Sequence, residues 1–146
     1  MKGDFAVVSL NISAMKGTKK HPVEEAVLIP DLGIEGDAHA GPGRRQVSLL
    51  AMEDIENALS GGADVYPGAF AENITTRGIE LPVLPIGTIL TIGQVELEVS
   101  QIGKECHAGC EIMRASGDCI MPRRGIFAYV RRGGRIKLED TGHYDI

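Results

Sequence analysis

The sequence contains no tryptophan, and only 4% of its 146 residues are aromatic. Its core must therefore be built from the smaller Val, Ile, Leu and Ala side chains, and a hydrophobic content of 43% is enough for a real core. The chain also lacks an apolar run of the roughly 18 residues that a membrane-spanning helix needs, and it shows no signal-peptide core at its start. We expect one cytoplasmic domain over residues 1–146, with no membrane partner.

Basic charge and cysteine are scarce as well. The 15 Lys and Arg residues are outnumbered by 20 Asp and Glu residues, and the formal charge is −5. This balance argues against nucleic acid as a partner bound through bulk electrostatics, although a local basic pocket is compatible with it. The three cysteines are an odd number, which fits a reducing compartment better than a disulfide framework.

Alternating hydrophobic residues predict a mostly β fold with minor α content. The clearest case is a hairpin in which Thr88–Ile92 and Val95–Ile102 are joined by a turn at Gly93-Gln94. A second hairpin is predicted for Gly125–Arg131 and Arg135–Leu138, because three residues with two glycines separate them. Further strands are predicted at Phe5–Ile12, Val23–Ile29 and Phe70–Thr76.

One helix is predicted, beginning at Ser48. The Ser48 side chain could cap its N-terminus, and Met52 and Ile55 share one face of it. A single helix cannot supply the several crossovers of a parallel sheet, so the sheet should be mostly antiparallel and closed to hide its edges. We expect a small antiparallel β-barrel with one or two appended helices and a frayed polar tail after Glu139.

All three cysteines lie in one glycine-punctuated stretch, where most of the chemical signal is found. Cys106 and Cys110 are four residues apart, which would suit half of a zinc site, but a structural zinc site usually has a second close pair. A Cys-x-x-Cys redox motif is absent. Lys104, Arg123 and Arg124 could lower the pKa of a nearby thiol. This favours one reactive thiolate at Cys106, whereas Cys119 fits a packed core residue.

A second stretch, Gly36–Ser48, is typical of an anion-binding loop. Its glycines could bring backbone N–H groups close to an anion. The guanidinium groups of Arg44 and Arg45 could each form bidentate hydrogen bonds to a phosphate. It leads to the N-terminus of the predicted helix, another anion-binding element. Its spacing does not match a P-loop or a dinucleotide fingerprint. Asp37 and His39 either belong to this site or form a turn in which Asp37 accepts backbone hydrogen bonds.

A third stretch, Pro67–Thr76, places Glu72 and Asn73 between apolar residues. Such polar residues could orient a ligand or satisfy backbone groups in a bend, and composition alone favours the bend. We keep Asn73 as a candidate binding residue.

Five stretches, taken in order along the chain, resemble a known family. They are Gly36-Asp-Ala-His-Ala-Gly41, Arg45-Gln-Val-Ser-Leu-Leu50, Pro67–Thr76, Leu84-Pro-Ile-Gly-Thr88 and Gln101-Ile-Gly-Lys-Glu-Cys-His107. In this order they resemble the MOSC family, named for the C-terminal domain of molybdenum cofactor sulfurases. The resemblance implies a β-rich barrel and a link to the molybdenum cofactor (molybdopterin), a pterin whose dithiolene binds molybdenum and whose side chain ends in phosphate.

The resemblance also implies roles for individual residues. It places the working cysteine of the family, which carries sulfur as a persulfide or ligates molybdenum, at Cys106, with Cys110 as a second candidate metal ligand. Lys104 would keep the thiol ionised and His107 would act as an acid or base, which makes these two residues and Cys106 the catalytic candidates. The candidate residues for binding the phosphorylated pterin are Asp37, His39, Arg44, Arg45, Ser48, Asn73 and Arg123.

The implied function is that of a molybdenum-cofactor-binding protein that handles sulfur or molybdenum through Cys106. The chemistry would be sulfur transfer, cofactor assembly, or reduction of N-hydroxylated compounds at bound molybdenum. Sulfur transfer would need a partner such as a cysteine desulfurase, and reduction would need an electron-transfer protein. Two alternatives stay open: a non-catalytic module that stores or delivers the intact cofactor, and a zinc-stabilised structural β-barrel.

Overall fold

The computed structural model describes residues 2–13, 20–38, 40–60, 67–68, 70, 72–103 and 124–145. Its strands are β1 (Lys2–Ile12), β2 (His21–Val23), β3 (Glu25–Ile29), β4 (Gly33–Ile34), β5 (Val47–Ala51), β6 (Ile74–Arg77), β7 (Ile89–Ile92), β8 (Val95–Ile102), β9 (Ile126–Arg132), β10 (Gly134–Lys137) and β11 (Thr141–Asp145). An α-helix, α1, spans Met52–Ser60, and a short 3-10 helix spans Leu81–Val83. Neither described helix has the length and apolar character needed to span a membrane.

Seven strands close into a barrel, in the order β1, β11, β7, β8, β9, β5 and β6, and β6 pairs again with β1. Neighbouring strands of this ring are antiparallel except for β5 and β6, which are parallel. Parallel neighbours need a crossover connection, and α1 lies between these two strands in the chain. The predicted mostly β barrel with an appended helix is therefore confirmed.

The interior of the barrel is filled by alternate residues of its strands. In β8 the side chains of Val95, Leu97 and Val99 are completely buried, whereas the two glutamates between them are only partly buried. This strand pairs antiparallel with β7, as the sequence predicted. Gly93 in the connecting turn has a φ of 61°, a left-handed conformation that favours glycine.

The C-terminal strand β11 closes the barrel by pairing with β1 on one side and β7 on the other. The prediction that the tail after Glu139 frays is therefore wrong. Gly142 is the one buried residue of β11, and the ring of Phe5 occupies the space where a Cβ would lie. Backbone pairing and this close contact hold the strand in place, and neither produces a hydrophobic pattern in the sequence.

A separate small sheet contains β10, β3 and β4 in that order. The predicted hairpin of β9 with β10 is wrong, because β9 pairs with β5 and β8 while β10 pairs with β3. Two glycines redirect the chain here: Gly134, the first residue of β10, has a φ of 154°, and Gly133, between the two strands, packs against the carbonyl of Leu28 too closely for a Cβ. The predicted strand Val23–Ile29 is likewise divided at Glu24 into the end of β2 and β3.

The helix begins at Met52 and not at Ser48, which lies within β5. Every residue of β5 is buried, and periodicity alone cannot distinguish such a short apolar run from a buried helix. Val47–Ala51 is a strand because its backbone completes the barrel between β9 and β6. Ser48 is therefore not a helix cap, and the anion-binding helix N-terminus predicted there is wrong. The strand predicted at Phe70–Thr76 is found at Ile74–Arg77.

Candidate functional site

A pocket lined by two arginines opens beside the end of β8. Its volume is about 690 Å³, which is in the range of small-molecule sites. No acidic side chain is among its described lining residues, although the protein as a whole has a formal charge of −5. We call it the arginine pocket, and its lining residues are Ala40, Gly41, Pro42, Gly43, Arg44, Arg45 and Gln101.

The glycines of this loop leave open space in the pocket. Gly41 and Gly43 have φ angles of 155° and 122°, values that favour glycine. A Cβ added at either position would meet no heavy atom within 4 Å, so the backbone conformation, and not crowding, requires glycine here. The N–H of Gly41 donates to the carbonyl of Leu32 at 2.8 Å, which removes it from the amides that could bind an anion. The N–H of Gly43 takes part in no described hydrogen bond.

The two arginines of the pocket are exposed and have no carboxylate partner among the described residues. Four other arginines each form an ion pair with a carboxylate, at N–O distances between 3.0 and 3.5 Å. Two arginines that line one pocket without a described counterion attract an anion, and each can form two parallel hydrogen bonds to phosphate oxygens. The paired arginines are Arg77, Arg124, Arg131 and Arg135.

Contacts from β8 and β9 hold Arg45. Its Nε donates to Oε1 of Gln101 at 3.4 Å, and its Cζ lies 5.4 Å from the centre of the Phe127 ring, within cation–π range. The hydroxyl of Ser100 donates to the carbonyl of Arg44, which fixes the backbone just before Arg45. The terminal nitrogens of Arg45 have no described partner within the chain and remain available to a ligand.

Asp37, a predicted binding residue, lies in a buried ion pair with Lys20. The Lys20 Nζ is 2.7 Å from Asp37 Oδ1, and both side chains are completely buried. The same oxygen accepts the N–H of Ser13 at 3.1 Å, as expected if Asp37 serves a turn. The hydrogen bond from Ser13 ties the loop that precedes the arginine pocket to the end of β1, and the ion pair ties it to the residue before β2.

Ser48 and Asn73 bind each other in the interior. Oδ1 of Asn73 accepts the N–H of Ser48 at 3.0 Å and its hydroxyl at 3.1 Å, while Nδ2 donates to the carbonyl of Asn11. These contacts join β5 to β1 beneath the start of β6. For Asp37, Ser48 and Asn73, contact with a cofactor stays a prediction.

Glu72 is a fully buried carboxyl. Its Oε2 accepts the N–H of Gly68 at 3.0 Å and the hydroxyl of Thr75 at 2.9 Å, whereas Oε1 has no hydrogen-bond partner among the described residues. Burial raises the pKa of Glu72 from 4.5 to about 7, against the opposing effect of the hydrogen bonds from Gly68, Thr75 and nearby backbone. Glu72 therefore holds a proton in the folded protein under mildly acidic conditions.

The cysteine-bearing stretch, residues 104–123, lies outside the described residues. Its two described flanks meet, because the N–H of Gly103 donates to the carbonyl of Gly125 at 2.7 Å. Gln101, which lines the arginine pocket, donates to the carbonyl of Gly103 at 2.8 Å, so the stretch begins beside the pocket. In the described part of the chain no three His, Cys, Asp or Glu side chains could together hold a metal. The predicted residues outside the described part are His39, Lys104, Cys106, His107, Cys110 and Arg123.

Arg124, the first described residue after this stretch, is anchored to acidic groups. Its guanidinium lies 3.0 Å from a carboxylate oxygen of Asp54 in α1 and 3.2 Å from one of Glu80. Partial burial lowers the pKa of Arg124, but the two carboxylates outweigh that effect and raise it. Arg124, one of the cations predicted to act on a nearby thiol, is thus paired with carboxylates, one of them on the helix.

The sequence did not predict three contacts of the site: Lys20 with Asp37, and Phe127 and Gln101 with Arg45. Lys20 stands in a polar Lys-Lys-His run that is typical of a surface, and Phe127 resembles any core residue of a strand. Gln101 belongs to one of the family-like stretches, but its partner Arg45 is 56 residues away. Contacts between distant strands leave no local pattern from which they could be read.

Comparisons with known proteins agree with this architecture. A family model of the MOSC domain matches residues 35–141. The chain is similar to the crystal structure of the YuaD protein from Bacillus subtilis, with a TM-score of 0.82 and 20% identity, over 99% of this chain and 97% of that one. It is also similar to YiiM from Geobacillus stearothermophilus (TM-score 0.72, 18% identity, 97% of this chain and 75% of that one) and from Escherichia coli (0.67, 20%, 100% and 70%). At these identities the structures share the fold, and no curated protein matches the chain.

Proposed function

The chain belongs to the MOSC domain family, and from this membership and the arginine pocket we propose that it binds the molybdenum cofactor and handles sulfur or molybdenum through Cys106. The family match supports the link to the cofactor. The observation that carries the proposal is the pair Arg44 and Arg45, which has no described counterion and lines a pocket beside the start of the cysteine-bearing stretch.

The residues of the pocket fit the phosphate end of the pterin. A phosphate monoester carries about −1.5 to −2 charges at neutral pH, which two arginines can balance. The terminal nitrogens of Arg45 offer the paired donors that phosphate oxygens accept, and the open space next to Gly43 leaves room for them. Since the whole chain is acidic, this local pair of cations, and not the overall field, would select the anion.

Chain connectivity supports a thiol near this pocket. Cys106 follows Gly103 by three residues, and three residues of extended chain span at most about 11 Å. Gly103 is bonded to Gln101, which lines the pocket. A cysteine tethered at this point could reach a ligand whose phosphate is held by the arginines.

The proposed chemistry begins with an ionised thiol. Lys104 and Arg123 would favour the thiolate, and His107 would accept or donate its proton. The thiolate of Cys106 would attack the outer sulfur of a persulfide on a cysteine desulfurase, so that a new S–S bond forms and the thiolate of the donor leaves. Cys110 is the alternative thiol and a candidate metal ligand. When bound, molybdenum would supply the sulfur-accepting or redox centre.

The setting and the partners belong to the same proposal. A free thiol persists in a reducing compartment, which favours the cytoplasm. Reduction of an N-hydroxylated compound at molybdenum would require an electron-transfer partner in place of the desulfurase.

The test compares purified variants produced with a full supply of cofactor. Molybdenum, pterin and cysteine persulfide per chain are measured for wild type, Cys106→Ser and Arg45→Ala, with Cys119→Ser and Arg132→Ala as matched controls. Arg132 is a suitable control because it has no described ion pair and lies outside the pocket. We expect Arg45→Ala to lose pterin, Cys106→Ser to lose molybdenum or persulfide, and both controls to resemble wild type.

Two outcomes would change the proposal. Equal molybdenum in wild type and Cys106→Ser, together with no persulfide on Cys106, would remove the role of this thiol and leave a storage or delivery module. Unchanged pterin content in Arg45→Ala would remove the arginine pocket as the binding site.

A further inference from the structure

Gln101 is oriented by two hydrogen bonds of opposite kind. Its Nε2 donates to the carbonyl of Gly103 at 2.8 Å, and its Oε1 accepts from the Nε of Arg45 at 3.4 Å. Gly103 is itself held by the bond from its N–H to Gly125. Because an amide side chain has its donors at one end and its acceptor at the other, these contacts decide which end of Gln101 faces Arg45.

Arg45 is thereby ordered before a ligand arrives. An exposed arginine side chain has many rotamers, and restricting them on binding costs conformational entropy. Here Gln101 holds the Nε and Phe127 lies under the guanidinium, while the terminal nitrogens keep no described partner. These contacts involve the Nε and one face of the guanidinium. They leave the two terminal nitrogens free to donate parallel hydrogen bonds to a phosphate.

The neutral amide matters as much as the contact. Four other arginines are held by carboxylates, which neutralise the charge of the guanidinium that they orient. A glutamine accepts the same hydrogen bond and leaves the positive charge of Arg45 uncompensated. We propose that Gln101 is a positioning residue that fixes Arg45 for binding a phosphate monoester without competing for it. This inference rests on the proposed function of the arginine pocket.

The first test measures anion affinity in a series of variants. Inorganic phosphate is titrated into the full chain by NMR at constant ionic strength. Gln101→Met, which keeps the length of the side chain but neither hydrogen bond, should bind phosphate about 3- to 10-fold more weakly. Gln101→Glu should bind phosphate about tenfold more weakly or worse, because its carboxylate pairs with Arg45. Gln94→Met, an exposed glutamine in the β7–β8 turn, is the matched control and should bind as wild type does.

The second test separates positioning from a merely structural role. Sulfate stays a dianion in acidic solution, so it can be titrated at pH 7 and pH 3.5. An ordinary glutamate takes up a proton around pH 4.3, and pairing with Arg45 shifts this to lower pH, so the sulfate affinity of Gln101→Glu relative to wild type should recover in part at the lower pH. Gln101→Met should show no such recovery.

The outcomes distinguish this inference from the function on which it rests. If Arg45→Ala abolishes phosphate binding but Gln101→Met binds as wild type does, the positioning role is overturned and the pocket stands. If Arg45→Ala binds phosphate normally, the proposed function of the pocket fails. A Gln101→Glu variant whose relative sulfate affinity is the same at both pH values also overturns the positioning role.

Discussion

Replacing Glu72 by glutamine should make the folded protein less sensitive to pH. The amide oxygen of glutamine can accept the hydrogen bonds from Gly68 and Thr75 that Oε2 accepts now. The NH2 group would take the place of Oε1, which has no described hydrogen-bond partner. Glutamine therefore resembles the protonated form of Glu72 in shape and polarity, but it cannot ionise.

The expected size follows from the pKa of Glu72, which burial raises from 4.5 to about 7. Below pH 4.5 the carboxyl is protonated in both the folded and the unfolded chain, and its contribution to stability is fully present. Between pH 4.5 and about 7 the unfolded chain ionises while the folded chain keeps its proton, so the free energy of unfolding falls as the pH rises. At about 1.4 kcal/mol per pH unit, the total loss from this one group is about 3 kcal/mol, as an order of magnitude.

Urea unfolding of wild type and Glu72→Gln from pH 4 to pH 9 would measure this directly. The difference in unfolding free energy between the two proteins cancels the other titrating groups, and it should rise in favour of the variant by about 3 kcal/mol between pH 4.5 and 7. Glu24→Gln removes an exposed carboxyl and should show no such rise. A difference for Glu72→Gln that changes by less than about 0.5 kcal/mol over this range would refute the reasoning.

Three further predictions concern the scaffold, and each is measured by urea unfolding. Lys20→Met should lower the free energy of unfolding by about 3–5 kcal/mol because it leaves Asp37 charged and buried. The double variant Lys20→Met with Asp37→Leu should recover part of this stability. A double variant less stable than either single variant would contradict the prediction. Gly142→Ala should destabilise the protein by about 1–3 kcal/mol because the new Cβ overlaps the Phe5 ring. Adding Phe5→Leu should restore part of the lost stability. A Gly142→Ala variant as stable as wild type would show that the ring moves aside freely. Arg124→Ala should cost less than about 1 kcal/mol since its ion pairs are partly exposed, and a loss above about 2 kcal/mol would show that they act as a buried network.

The barrel itself could be predicted because its signal is local. In β8 the alternation of Val95, Leu97 and Val99 with polar residues places one face in the core, and Gly93 permits the tight turn to β7. The scarcity of helical segments then left an antiparallel sheet as the main architecture, and hiding its edges required closure. These arguments use properties of neighbouring residues, which a sequence displays.

The errors arose where pairing between distant segments decided the structure. The buried run Val47–Ala51 is compatible with either a helix or a strand until β9 and β6 take their places beside it. The polar tail becomes β11 because β1 and β7 both offer unpaired backbone to it and Gly142 makes room for Phe5. A strand held by backbone hydrogen bonds needs no hydrophobic pattern of its own.

The sequence by itself determined the residue types at the candidate site: a glycine-rich loop, two adjacent arginines and a cysteine-bearing stretch, each readable from its own chemistry. The tertiary structure decided which contacts these residues make within the chain. It committed Asp37 to Lys20 and Ser48 to Asn73 in the interior, and it left Arg44 and Arg45 without a described counterion. It also brought Gln101 to Arg45 across 56 residues of chain. Burial and pairing depend on how the strands assemble, so they exist only once the barrel has closed.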